Sequence, residues 1–176
     1  MTIGALGRLV DISTGIASVD LTTAGATGKR VSLKNASGAL VVVHLAAAAS
    51  GTESVVGTLK QYTASSGGTT SNLASIRDYW IKAATALAGS ETWTRISQAA
   101  SQTLTIADTQ GALTGVAQKQ AIVAFEVDAS SLSDGYAYFG FDIADPGTVS
   151  RIGSVLYMLH DLTVQRAPVN LAAPLS

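Results

Sequence analysis

The stretch Ala121-Ile122-Val123-Ala124-Phe125-Glu126-Val127-Asp128 decides the fold class. Ala121, Val123, Phe125 and Val127 recur at every second position, opposed by Glu126 and Asp128. Successive side chains of a strand point to opposite faces, so this period marks a strand with one face in a core. After Ser130-Ser131-Leu132-Ser133-Asp134-Gly135 the period returns over residues 136–143, with Ala137, Phe139, Phe141 and Ile143 on one side. Asp145-Pro146-Gly147 is a strong turn. Residues 154–164 then place Leu156, Met158, Leu162 and Val164 one way, Tyr157 and Leu159 the other. Apolar residues on both faces mark a central strand or a subunit contact.

The same signal extends upstream. Residues 30–34 alternate Val31 and Leu33 with polar residues. Asn35-Ala36-Ser37-Gly38 supplies turn chemistry, and a Val-rich strand follows over 39–45, which reads as a hairpin with a longer loop. Residues 54–63 place Val55 and Leu59 opposite Val56, Thr58 and Lys60. Residues 64–71, all small or polar, read as an exposed, mobile loop. Leu73, Ile76, Trp80 and Leu87 have helical spacing behind a possible Asn72 cap, but Tyr79, Trp80 and Ile81 favour a strand over 76–82. Residues 91–97 and 102–106 are short strands, the first alternating Thr92, Thr94 and Ile96 with Trp93 and Arg95. Eight or more short strands between turns predict an all-β, mainly antiparallel fold: a β-sandwich or a jelly-roll-like barrel. Residues 1–165 form one domain. Residues 166–176, with two of the three prolines, form an extended C-terminal arm that cannot easily continue a sheet.

Composition narrows the function. Charged residues are 13% of the 176 and apolar residues 47%, about half the charge usage of an ordinary soluble domain. With so little charge to solvate it, part of the surface is expected to be covered by a partner. Net charge is −1, and the densest basic cluster is Lys29, Arg30 and Lys34, so no basic stripe suggests nucleic acid. The chain has no basic amphipathic segment, no secretory signal pattern at its start and no apolar run near the ~20 residues of a membrane span. Without cysteine there are no disulfides and no thiolate chemistry.

Candidate chemical sites are sparse. Gly25-Ala26-Thr27-Gly28-Lys29-Arg30 approaches a phosphate-cradling loop, but Thr23 stands where the first glycine belongs and Arg30 replaces the hydroxyl. His44 and His160 both fall in strands, and no Gly-x-Ser-x-Gly elbow surrounds a serine. His160 and Asp161 are sequence neighbours and so are expected on opposite faces. Asp134, Asp142 and Asp145 could line one end of a sandwich around calcium, although loop aspartates usually make turns. Asn35-Ala36-Ser37 matches a glycosylation acceptor and is read as a turn. No cofactor is expected. Trp80, Trp93, Tyr136 and Tyr138 are candidate anchors, since large aromatics dominate binding energy. The interface candidates are Trp93, Tyr138 and Tyr157 and, on the arm, Val169, Leu171 and Leu175.

Two blocks carry a family likeness. One is Lys29-Arg30-Val31-Ser32-Leu33-Lys34-Asn35 with Val41-Val42-Val43 and Gly57-Thr58-Leu59-Lys60-Gln61-Tyr62. The other joins residues 121–128, Leu132, the aromatic strand from Tyr136 and Ile152-Gly153-Ser154-Val155-Leu156-Tyr157-Met158-Leu159. Over roughly residues 8–170 the chain resembles the accessory structural proteins, of decoration or cement type, of tailed-bacteriophage capsids. The resemblance implies a β-rich, non-enzymatic virion protein on the capsid surface, assembled in the host cytoplasm. It further implies binding to the major capsid protein, often as a homotrimer that clamps neighbouring capsomers. Other readings are a tail or head–tail connector component, a carbohydrate-binding or host-attachment module using Trp93 and Tyr138, and a hydrolase built on His44 or His160.

Overall fold

A computed structural model describes residues 5–171, 173 and 174. Among them are eleven strands: β1 (Val10–Asp20), β2 (Val31–Ser32), β3 (Ala36–Leu45), β4 (Val55–Tyr62), β5 (Thr70–Asn72), β6 (Ile76–Ala84), β7 (Thr94–Ser101), β8 (Thr103–Ile106), β9 (Gln120–Asp128), β10 (Tyr138–Ile143) and β11 (Ile152–Leu162). They form two antiparallel sheets packed as a sandwich, not a closed barrel. The six-stranded sheet runs β1-β11-β3-β9-β6-β7. The five-stranded sheet runs β2-β10-β4-β5, with β8 sharing the outer edge of β4 beside β5.

Alternation is what makes the sandwich. Val41, Val43, Val123, Phe125, Val155, Tyr157 and Ile81 face inward from the larger sheet. Leu59, Leu104, Ile106, Phe139 and Phe141 face them from the smaller one. All are essentially solvent-free, and each large apolar side chain so buried contributes about 1.5–3 kcal/mol relative to exposure. The ring of Phe141 lies over Gly57, where any Cβ would collide with it, and 5.2 Å from the ring of Phe125.

Tyr157, expected at an interface, is instead in the core. Its strand is apolar on both faces, so the pattern could not say which face the second sheet covers. The phenol reaches across the sandwich and accepts the Phe141 backbone N–H at 2.9 Å. β2 pairs with β10 only at Tyr138 and Phe139, so the ladder does not supply that partner. Burial pushes the phenol well above its ordinary pKa and keeps it protonated. Tyr157→Phe leaves a buried amide without its acceptor, which costs about 1–3 kcal/mol. A chemical-denaturation midpoint unchanged by this substitution would refute the role given to the hydroxyl.

Other expectations shift. The strand over 76–82 forms, and the helical alternative does not. The hairpin over 30–45 does not form: β2 pairs with β10 and β3 with β11 and β9, in different sheets. The loop at 64–71 ends in β5, and Arg30 grips its turn through the Ala64 and Gly67 carbonyls. The strand expected at 91–97 starts at Thr94 and runs to Ser101. β1, in a segment to which the sequence reading assigns no strand, zips along β11 with a bulge after Thr14. The described residues of the arm lie outside both sheets and return along the domain, Arg166 N–H bonding Gly7 O and Ser32 N–H bonding Pro174 O.

The far end of the β1–β11 pair is fastened by Asp20. Its carboxylate accepts from Ser150 Oγ, from Thr22 N–H and Oγ–H and from Arg151 N–H. Those bonds, the Ser150 hydroxyl foremost, hold its pKa down at about 2. A depressed carboxylate stabilises the fold above its ordinary value near 3.8 and ceases to as pH falls through the folded value. An NMR titration should therefore find Asp20 still ionised at pH 3; a midpoint near 3.8 would mean the knot is not formed.

Candidate interaction surface

The two outer faces of the sandwich differ sharply. On the five-stranded sheet the outward positions are Val56, Thr58 and Lys60 of β4, Thr103 and Thr105 of β8, Asn72 of β5 and Asp142 of β10. Lys60 Nζ pairs with Asp142 Oδ2 at 2.8 Å. This is the polar exterior expected of an antiparallel sheet with one solvated face.

The six-stranded sheet is apolar on its outside as well. Register carries an apolar row from strand to strand: Ile12 of β1 opposite Met158 of β11, and Met158 opposite Leu40 of β3. In the next row Leu156 faces Val42, Val42 faces Ala124 of β9, and Ala124 faces Trp80 of β6. Ile12 is 50% exposed, Leu156 41% and Trp80 44%. Contiguous exposed apolar surface of this kind marks an interaction site, whereas single exposed leucines do not.

Two shallow hollows lie on this band and share Leu40. Trp80, Trp93, Leu40 and Ala124 line one of about 400 Å³, because the short Ala124 side chain stands beside the bulky indole of Trp80. Trp93 is 45% exposed, and the Lys82 ammonium sits 4.9 Å from its ring centroid. The other hollow, about 330 Å³, is lined by Val10, Leu40 and Met158 with Glu126 and His160.

His160 forms the charged rim of that second hollow. Its Nδ1 meets Asp161 Oδ2 at 2.9 Å, and its Nε2 contacts Glu126 Oε1. The expectation that His160 and Asp161 point apart is overturned, because Asp161 adopts left-handed backbone (φ 50°) and turns its carboxylate back. Partial burial lowers the imidazole pKa, but the hydrogen bonds and charges of Asp161 and Glu126 outweigh it and hold it above its ordinary 6.5. His44 stands exposed on β3, between Ser154 and Ile122.

The remaining candidates fall elsewhere. Tyr138, on the five-stranded sheet, lines a groove of about 260 Å³ with Ser32, Lys34, Leu171 and Pro174. Trp93, just ahead of β7, and Tyr138, on β10, thus line different hollows and form no common platform. Leu171 is partly covered, Val169 is 89% exposed, and Leu175 lies outside the described residues. Asp142 is engaged by Lys60 and the Gly28 amide, Asp145 accepts from Gly147 N–H, and Asp134 sits in a turn. Among the described residues no three His, Asp or Glu side chains are grouped to hold a metal ion. The glycine-containing loop at 25–30 is occupied too, Ala26 pairing with Ile143 and Gly28 donating to Asp142. Ile12, Leu40, Val42, Leu156 and Met158 were not singled out from sequence. For Leu40, Val42, Leu156 and Met158 the signal was present in the two-sided apolar strands, and for Ile12 it was hidden with its strand.

No protein-family model and no curated protein matches the chain. Among solved structures, similarity is found to a chain from the "Structure of infectious bursal disease virus Gx strain". The two are 12% identical with a TM-score of 0.22, over 93% of this chain and 43% of the other, so this chain spans less than half of that one. A likeness at that score carries no argument about fold or function.

Proposed function

We propose that the chain is a virion structural protein that decorates and stabilises the outer surface of a phage capsid by binding the major capsid protein. The observation that carries the docking part is the apolar band from Ile12 to Trp80 on the outer face of the six-stranded sheet. Such a face is covered at little cost, since apolar area removed from water contributes about 25 cal/mol per Å². The capsid assignment rests on the sequence resemblance, and the low charge of the chain agrees with it. On this reading the protein acts as a homo-oligomer, with a trimer favoured, so that many weak contacts add up over a shell. It performs no catalysis, takes no cofactor and contacts neither nucleic acid nor membrane.

Quantitative mass spectrometry of purified particles tests this. Hundreds of copies per particle are expected; about a dozen would move the protein to the head–tail connector, and none would end the virion assignment.

A further inference from the structure

The rim of the apolar band has a geometry that only one protonation state satisfies. Both ring nitrogens of His160 face carboxylate oxygens, Nδ1 toward Asp161 and Nε2 toward Glu126. A neutral imidazole carries one N–H and can donate to one of them, leaving its lone pair against the other. The imidazolium donates to both.

The contact with Glu126 spans a whole strand, from β11 over β3 to β9. It is possible because β3 carries Gly38 at the crossing, opposite His160 on one side and Asp128 on the other. A Cβ at Gly38 would stand 3.0 Å from His160 Nε2 and 3.2 Å from Glu126 Oε1. The cluster therefore ties two non-adjacent strands together across the surface of the sheet.

The charged surroundings are acidic. From β9 come Glu126 and, beyond Gly38, Asp128; β11 supplies Asp161; β3 presents the uncharged Gly38 and Leu40, and β1 presents Val10. Asp11 of β1 lines the groove beside Lys34, and among the described residues Arg8 makes no ion pair with the cluster.

We propose that His160 is a proton-operated latch on this face, closed as the imidazolium and open as the neutral ring, so that covering of the apolar band weakens as pH rises. Closed, the three groups carry one net negative charge and hold the hollow of Val10, Leu40 and Met158 in shape. Open, they carry two, and one of Glu126 and Asp161 loses its N–H donor beside a surface that must be dehydrated when covered. Because the folded state holds the proton more tightly, the latch is fully closed below the ordinary imidazole value of about 6.5 and opens as pH climbs through the raised folded value. The latch bears on capsid binding only if the docking reading above holds.

The test uses the full chain and no capsid. NMR titration of the His160 ring should give a midpoint above its ordinary value, lowered by Glu126→Gln and by Asp161→Asn. Anilinonaphthalene sulfonate, an apolar anion, serves as the covering probe, its affinity read from the amide shifts of Leu40 and Met158 so that only binding on this face counts. Affinity should fall about threefold between pH 6 and pH 9, the factor one added charge at about 6 Å imposes in water. His160→Gln should bind equally at both pH values. A His160 midpoint at or below the ordinary value overturns the proposal, as does dye affinity that is nil or indifferent to pH in the wild type. Absence of the chain from virions would defeat the docking reading and leave the latch standing.

Discussion

Phe141→Ala is expected to destabilise the protein by about 3–5 kcal/mol, the range for emptying a fully buried aromatic position. The ring makes two close contacts at once: it covers Gly57 on β4 and packs tilted against Phe125 of the opposite sheet. At roughly 2–4 °C per kcal/mol for a chain of this length, the melting temperature should fall by roughly 6–20 °C. Gly57→Ala attacks the same contact from the other side by overfilling it, at about 1–3 kcal/mol. The two changes should be less damaging together than their sum, because the added methyl enters the space the ring vacates. Far-UV circular dichroism is the right monitor, since Trp80 and Trp93 are half exposed in the folded state and report the transition poorly. Strict additivity of the two effects would mean that Gly57 and Phe141 do not share a contact.

Trp80→Asp is expected to leave the fold almost untouched and to weaken docking strongly. The indole is at the surface, so stability should change by about 0.5 kcal/mol or less. Yet it lines the larger of the two hollows, where central tryptophans typically carry 2 kcal/mol or more of binding energy. Adding an uncompensated carboxylate deepens the loss. Binding to shells of the major capsid protein should weaken by about thirtyfold or more. Thr105→Asp, an exposed change on the polar face of the five-stranded sheet, should bind like the wild type. Equal loss in both variants would show that the two faces are not distinguished by docking.

Strands were legible from sequence wherever one face was polar. In β9 and β10 the inward residues Val123, Phe125, Val127, Phe139, Phe141 and Ile143 are those the alternation selects. The period fails to discriminate in β3 and β11, where both faces are apolar and only the position of the second sheet decides which is core. That is why Tyr157 reads as an interface candidate while Leu156 and Met158, on the open side, do not. β1 was hidden for a different reason: its contacts are with the last strand, and a bulge after Thr14 interrupts its period. Pairing is equally opaque, because the neighbours of β3 are β9 and β11, far away in the chain. The His160 cluster depends on a left-handed Asp161 and a glycine on the strand between His160 and Glu126, neither of which has a sequence signature of its own.

The central claim is that the six-stranded sheet turns its outer face to a shell. A cryo-electron microscopy reconstruction of the particle addresses it most directly. The chain should be found on the outside of the capsid with Ile12, Leu40, Leu156 and Trp80 against major capsid protein and the Thr58–Thr103 face toward solvent. Density in the opposite orientation, or an apolar band left open to water on the assembled particle, would contradict it.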